Sequence, residues 1–317
     1  MKFHSKGLTK IARVSLFLLF FSYFYSSPTV AENGQESGLS ISPVVFEINS
    51  DQGDTLINQV KIYNPTDFPQ NVKMQVEDFT PVGEEGQVVL DQPGKENSTY
   101  SLTSWTTVSP TEFVIDSKQQ QVVNFTINVP QNGEPGGHYG SIVAAISGGK
   151  AQMTGSVTGT KRGSLILLRV SGNITEDVVI DTFEAKDFQE YGPVDFNLKF
   201  KNIGNVHVRP AGFITITDQF GKQVAQLDIP RNNVIPNAIR QAGTTWEEKN
   251  LMGRYTATMV ANYGATSKQT VTSVITFTVF PWKKGLVVGT VILVFLLVLA
   301  KSRKRISLAL KVLMGKH

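Results

Sequence analysis

The chain has 317 residues, room for about two domains at the usual ~100–200 residues each. It is 41% hydrophobic, contains no cysteine and has only 4 histidines. That composition excludes a disulfide framework, thiol nucleophiles, Cys-ligated metal and a chain too polar to fold. Net charge is +4 and the pI near 9.1, but the charge is unevenly placed. Residues 1–31 hold four basic side chains (Lys2, Lys6, Lys10, Arg13) and no acid, and residues 281–317 hold eight basic side chains and no acid. The stretch between them, 32–280, has 18 basic and 26 acidic side chains and is a net −8. A phosphate backbone needs clustered Lys and Arg on a folded surface, so no nucleic-acid partner is expected.

The first element in chain order is a secretory signal peptide over residues 1–31. A basic start leads into an apolar run from Val14 to Tyr25, and a small-residue exit follows at Thr29-Val30-Ala31. The run is shorter than the ~20 residues a spanning helix needs, which predicts cleavage after Ala31.

From residue 39 to 280 the sequence alternates polar and apolar residues with period two. Val72, Met74 and Val76 oppose Asn71, Lys73, Gln75 and Glu77, and Val123, Phe125, Ile127 and Val129 oppose Asn124, Thr126 and Asn128. Phe196, Leu198 and Phe200 repeat the pattern, as do Ile275, Phe277 and Val279. Gly-, Pro-, Asn- and Asp-containing turns separate the runs, among them Asp51–Asp54, Asn64–Asp67 and Asp218–Gly221. The expected class is all-β, with two tandem immunoglobulin-like β-sandwich domains and one C-terminal transmembrane helix.

Duplication is visible in the sequence. Val60-Lys61-Ile62-Tyr63-Asn64 and Leu198-Lys199-Phe200-Lys201-Asn202 each end a strand at a turn, and one tryptophan falls in each unit, Trp105 and Trp246. The near-continuous apolar run Ser164–Val170 reads as a strand buried on both faces, closing the first domain after a long loop from Ser147 to Gly163. The domains are set at 39–172 and 177–280.

After them, Gly285–Ala300 is uncharged and rich in Leu and Val. At ~1.5 Å per residue it is a few ångströms short of a ~30 Å hydrocarbon core, and its flanks supply the rest. Trp282, Lys283 and Lys284 suit one interface, and Lys301, Arg303, Lys304 and Arg305 the other. The larger positive charge beyond the span places the tail, 301–317, in the cytoplasm and the two domains outside. The signal peptide demands the same single-pass orientation at the cell membrane.

Catalysis needs convergent groups of matched pKa, and none converge in the sequence, so no enzyme is expected and no catalytic residue, cofactor or metal ligand is assigned. His138, in Gly136-Gly137-His138-Tyr139-Gly140, is either a binding-edge residue on a flexible turn or a half-exposed strand residue after a tight one. Asp51-Gln52-Gly53-Asp54 and Glu84-Glu85 lack the ligand spacing of a calcium loop and read as a hairpin turn and a solvated loop. The tryptophans are either ligand-stacking platforms or core anchors. Lys161-Arg162 reads as the solvated end of the long loop.

Several segments of the first domain resemble a known family. They are Leu39–Glu47 (LSISPVVFE), Gly53-Asp54, Val60–Asn64 (VKIYN), Trp105–Pro110 (WTTVSP), Val129-Pro130 and Pro135–Gly140 (PGGHYG). Together they resemble the first domain of bacterial WxL-interacting surface proteins, which share the layout of signal peptide, second sandwich, single span and short basic tail. The resemblance implies peptidoglycan binding for the first domain and binding of a partner or host protein for the second; it carries over no binding residue. The first strands are also similar to those of periplasmic pilus chaperones.

The functional expectation is a membrane-anchored bacterial surface protein that recognises cell-wall polymer or surface or host proteins, in the sense of adhesion. The alternative is an envelope assembly chaperone acting by β-strand addition.

Overall fold

The computed structural model describes residues 38–91, 99–146, 161–265 and 268–313, with side chains described up to Ser302. The expected signal peptide and its expected cleavage position Ala31 lie outside the described residues, as does most of the loop before Lys161.

Among the described residues, eleven strands make up the first half: β1 (Ser40–Ser42), β2 (Val45–Ser50), β3 (Thr55–Tyr63), β4 (Gln70–Glu77), β5 (Phe79–Val82), β6 (Gln87–Leu90), β7 (Thr106–Ser109), β8 (Glu112–Ile115), β9 (Gln120–Asn128), β10 (Gly136–Ile146) and β11 (Lys161–Val170). They form two facing sheets, ordered β1-β3-β9-β7 and β2-β11-β10-β4-β8, with β5 and β6 as a separate hairpin. Pro43 and Pro110, which have no N–H to give a ladder, stand where the chain leaves one sheet for the other. The alternation read from the sequence is the inward face. Val72, Met74, Val123, Phe125 and Ile127 are buried in one core with Val60, Ile62, Ile142, Ile166 and Leu168. Burying a side chain such as Phe125 contributes about 2–3 kcal/mol. Strand β11 is central, as its apolar run predicts, with β10 antiparallel on one side and β2 parallel on the other.

The second half repeats this plan with β12 (Val178–Glu184), β13 (Phe188–Gln189), β14 (Val194–Asn202), β15 (Ala211–Asp218), β16 (Gln223–Asp228), β17 (Ile239–Gln241), β18 (Thr244–Trp246), β19 (Gly253–Tyr263) and β20 (Gln269–Val279). One sheet is β12-β14-β17, with β18 continuing along β14, and the other is β13-β20-β19-β15-β16. Phe196, Leu198, Phe200, Ile214, Ile216, Met259 and Phe277 fill its core. Phe196 meets Phe277 edge to face at 5.7 Å. The fold is therefore all-β, two immunoglobulin-like sandwiches in tandem.

Asn64 directly follows β3 and Asn202 ends the equivalent strand β14, and both are fully buried. Asn64 Nδ2 donates to the carbonyls of Phe68 (2.9 Å) and Ile115 (3.1 Å), and its Oδ1 accepts from Thr66 N (3.0 Å). Asn202 Nδ2 donates to the carbonyls of Val206 (2.8 Å) and Val234 (2.7 Å), and its Oδ1 accepts from Gly204 N (2.8 Å). Each side chain supplies the hydrogen bonds that a chain leaving its sheet would otherwise lose inside the protein.

Two residues after β20 the chain enters helix α1 (Trp282–Leu313). Its segment Trp282–Ser302 is 21 residues with mean hydropathy 2.4 and is nowhere buried against the protein. At ~1.5 Å per residue it measures about 32 Å, enough to cross a ~30 Å core. The helix starts before the expected apolar run and continues past it, so Trp282, Lys283, Lys284, Lys301 and Arg303–Arg305 are all helical.

Candidate functional site: an open sheet edge and the elbow beside it

The first strand of each sandwich is split between the two sheets, and where it crosses decides which edge stays uncovered. In the first sandwich the chain crosses after the three residues of β1, leaving the six of β2 to pair with β11 from Leu165↔Val45 to Val170↔Ser50. In the second it crosses after the seven residues of β12. Only Phe188 and Gln189 remain to pair with β20, opposite Thr278 and Val279. The opposite side of β20 is paired with β19 along its whole length. Among the described residues, the stretch from Thr270 to Phe277 therefore has no ladder partner on its outer side.

The chemistry of this edge suits an added strand. Thr270-Val271-Thr272-Ser273-Val274-Ile275-Thr276-Phe277 has no charge, proline or glycine, the devices that usually protect exposed edges. Val271 and Ile275 point toward the core but are only partly buried, and so are Ile180 and Phe183 of β12, which pack on the same core. Val274 faces outward and is exposed. Other edges are shorter or guarded. Strands β7 and β8 have four residues each and are separated by Pro110, while β12 carries Asp181 and Glu184. The outer side of β3 is open only from Thr55 to Val60, because β1 pairs with Lys61–Tyr63.

At its far end β20 meets the elbow between the sandwiches. There Arg169 Nη1 donates to Glu176 Oε1 at 2.5 Å, Ala265 N donates to the same oxygen at 2.9 Å, and Asn49, Ser50, Asp51 and Asp54 line a cleft of about 720 Å³. Close packing elsewhere in the elbow joins the two halves. Gly137 N donates to Asn205 O at 2.8 Å. A Cβ on Gly136, whose φ is +128°, would lie 2.7 Å from that oxygen, so only glycine fits. Arg209 pairs with Glu47, which also accepts from Asn233 Nδ2 at 2.7 Å. At the tip of the β5–β6 hairpin Glu84 pairs with Lys199 (2.6 Å), and its carbonyl accepts from Gln241 N (2.7 Å). Phe79, Tyr139 and Leu167 cluster under the same hairpin with Ile235 of the second sandwich.

His207 lies in this contact, its Nδ1 3.4 Å from the Tyr139 hydroxyl. Burial pushes its pKa down to about 4, and Arg169 and Arg209 act in the same direction while Glu47 opposes them. Burial likewise pushes the Tyr139 phenol well above its ordinary value.

The structure places the sequence candidates as follows. His138 is buried rather than half-exposed: its ring nitrogens sit against the carbonyls of Glu134 (2.8 Å) and Ser101 (3.2 Å), and Trp105 packs on it at 4.1 Å. Trp246 is buried against Tyr255. Trp246 is thus a core packing group, while Trp105 is partly buried and packs on His138. Asp51–Asp54 is a turn closed by Asp54 Oδ2 accepting from Asp51 N at 2.8 Å. Glu84, expected in a solvated loop, is an elbow contact. Lys161 and Arg162 open β11 and are exposed, and Lys161 also pairs with the buried Glu77 at 2.7 Å. Trp282, Lys283 and Lys284 form the first turn of α1, where Lys283 binds Glu190 at 2.7 Å and Lys284 lies 5.1 Å from the Tyr191 ring. No metal-binding cluster occurs among the described residues. The open edge was not found in the sequence, because alternation locates a strand without saying whether its outer side is covered.

No family model matches the chain, and no curated protein matches it. Solved structures with a partial likeness include a chain of a chaperone–tip adhesin complex from CFA/I fimbriae biogenesis, 13% identical, TM-score 0.40, covering 75% of this chain and 98% of that one. The class 5 fimbriae chaperone CfaA is 12% identical with TM-score 0.39 and coverages of 75% and 98%. The Escherichia coli chaperone DraB is 13% identical with TM-score 0.34 and coverages of 76% and 96%. At this level of likeness, the functional reading rests on the geometry of the chain itself.

Proposed function

We propose that this is an exported, membrane-anchored binding protein that captures an extended segment of another exported protein by strand addition along Thr270–Phe277. The carrying observation is the uncovered, uncharged outer side of β20. An incoming strand would satisfy the open backbone groups, and its alternate side chains would cover Val271 and Ile275. In this reading α1 crosses the cell membrane with its basic end inside, and the anchor raises the local concentration of binding site and client. The assembly-chaperone alternative thus becomes the main reading. The wall-polymer reading has less to support it, since Trp246 is buried and Trp105 is packed on His138.

The test is site-specific photo-crosslinking from Val274 in the intact chain, beside a Thr272→Pro variant. The expected result is a polypeptide adduct that the proline reduces tenfold or more (about 1.4 kcal/mol). Binding to protein-free cell wall, unchanged by the proline and with no polypeptide adduct, would replace strand addition by polymer recognition.

A further inference from the structure

One end of the second sandwich differs from the rest of its surface. Strands β15, β19 and β20 finish there in line, Asp218 opposite Tyr255 and Tyr255 opposite Phe277. Three segments project past that line: 185–193, 219–222 and 247–252. Each carries a large apolar side chain into solvent: Phe188 is 52% exposed, Phe220 84% and Met252 69%, with Tyr191 beside them. A turn tip such as Asp218-Gln219-Phe220-Gly221 would ordinarily be polar, so a Phe this exposed calls for a partner. Across the sandwich, the opposite end is the one that meets the elbow through Asn205 and Arg209.

The same end gives rise to α1. Phe280 N donates to Gln189 O at 3.0 Å, and Gly192 N to Lys249 O at 3.3 Å, so the strand exit and two of the segments are bonded together. Lys283 and Lys284 tie the first helical turn to Glu190 and Tyr191. Phe280 and Trp282 carry the exposed apolar surface onto the helix. A membrane that accepts α1 lies at this end of the sandwich, and aromatic and thioether groups there suit the boundary between headgroups and acyl chains.

We propose that the three segments form a foot that inserts Phe188, Phe220 and Met252 into the lipid headgroup layer, fixing the height and tilt of the second sandwich on the membrane. The occupant is the lipid surface itself. The inference rests on the reading of α1 as a membrane span.

Because the chain has no cysteine, single-cysteine variants report one position each. Full-length chains with Phe188→Cys, Phe220→Cys, Met252→Cys, Ile203→Cys (far end) or Val291→Cys (mid-helix) would carry an environment-sensitive fluorophore in phosphatidylcholine–phosphatidylglycerol nanodiscs. Spin labels would be placed on the lipid headgroup or deep on the acyl chain. The expected result is deep quenching at 291, and headgroup quenching at 188, 220 and 252 about twofold or more above that at 203, retained at high salt because the contact is apolar. Quenching at 291 with the three tips no different from 203 would overturn the foot and leave the span. No quenching at 291 would overturn the span and the foot together.

Discussion

Asn64 and Asn202 show how much of this fold depends on single polar side chains. Replacing Asn202 by alanine would strand the carbonyl of Val206 and the N–H of Gly204 in a fully buried site, and leave the Val234 carbonyl with Val208 N alone. At about 1–3 kcal/mol for each unsatisfied group, Asn202→Ala is expected to cost about 2 kcal/mol or more. Asn124→Ala, on the exposed face of β9, should stay within about 0.5 kcal/mol. Denaturant unfolding of both variants measures the contrast; equal midpoints would refute it. The repeated strand-end pattern containing these asparagines was legible in the sequence, but their burial was not. A polar residue reads as exposed until its partners are known, and Ile115 and Val234 lie 51 and 32 residues away. The burial of His138 is hidden for the same reason, since its two carbonyl partners are supplied by tertiary structure.

Among the elements, β20 and β11 make the useful comparison. They occupy the same place in the two sandwiches, and both were visible in the sequence as β-prone runs. What period two does not encode is the point at which the first strand changes sheets, and that point alone covers β11 and exposes β20. Hydrogen exchange should report the difference. Every second amide of Thr270–Phe277 is expected to exchange much faster than the amides of Leu165–Val170, and to become protected when a client strand binds. Uniform slow exchange across β20 in the free chain would mean the edge is covered. A charge aimed inward at the open corner should close the edge chemically. Ser273→Lys is expected to weaken capture about tenfold or more while changing stability by less than about 1 kcal/mol, because position 273 is only partly buried. Full capture by this variant would argue against strand addition along β20.

For the whole molecule, the elbow decides whether the two sandwiches act as one body, and the burial of His207 predicts that this contact responds to pH. Its folded pKa is about 4, against about 6.5 for a free imidazole, so the docked state binds fewer protons than the undocked or unfolded chain. Stability from this group is therefore complete above pH 6.5, declines as pH falls toward 4, and is constant below that. The upper bound on the loss is about 3 kcal/mol, at 1.36 kcal/mol for each unit of displacement. The groups facing the ring are Tyr139, Glu47, Arg169, Arg209 and Glu176. Two of these are arginines that stay charged throughout, so protonating the imidazole places a third cation among them. Carboxylates elsewhere also titrate in this range, which makes the control essential. His207→Phe keeps the ring volume and the edge contact with Tyr139 but has nothing to protonate. Thermal unfolding from pH 7 to 4, with interdomain distance followed by paired fluorophores, should show a steeper decline and a wider opening in the natural chain than in the variant. Parallel curves for the two would remove His207 as the cause of any opening of the elbow.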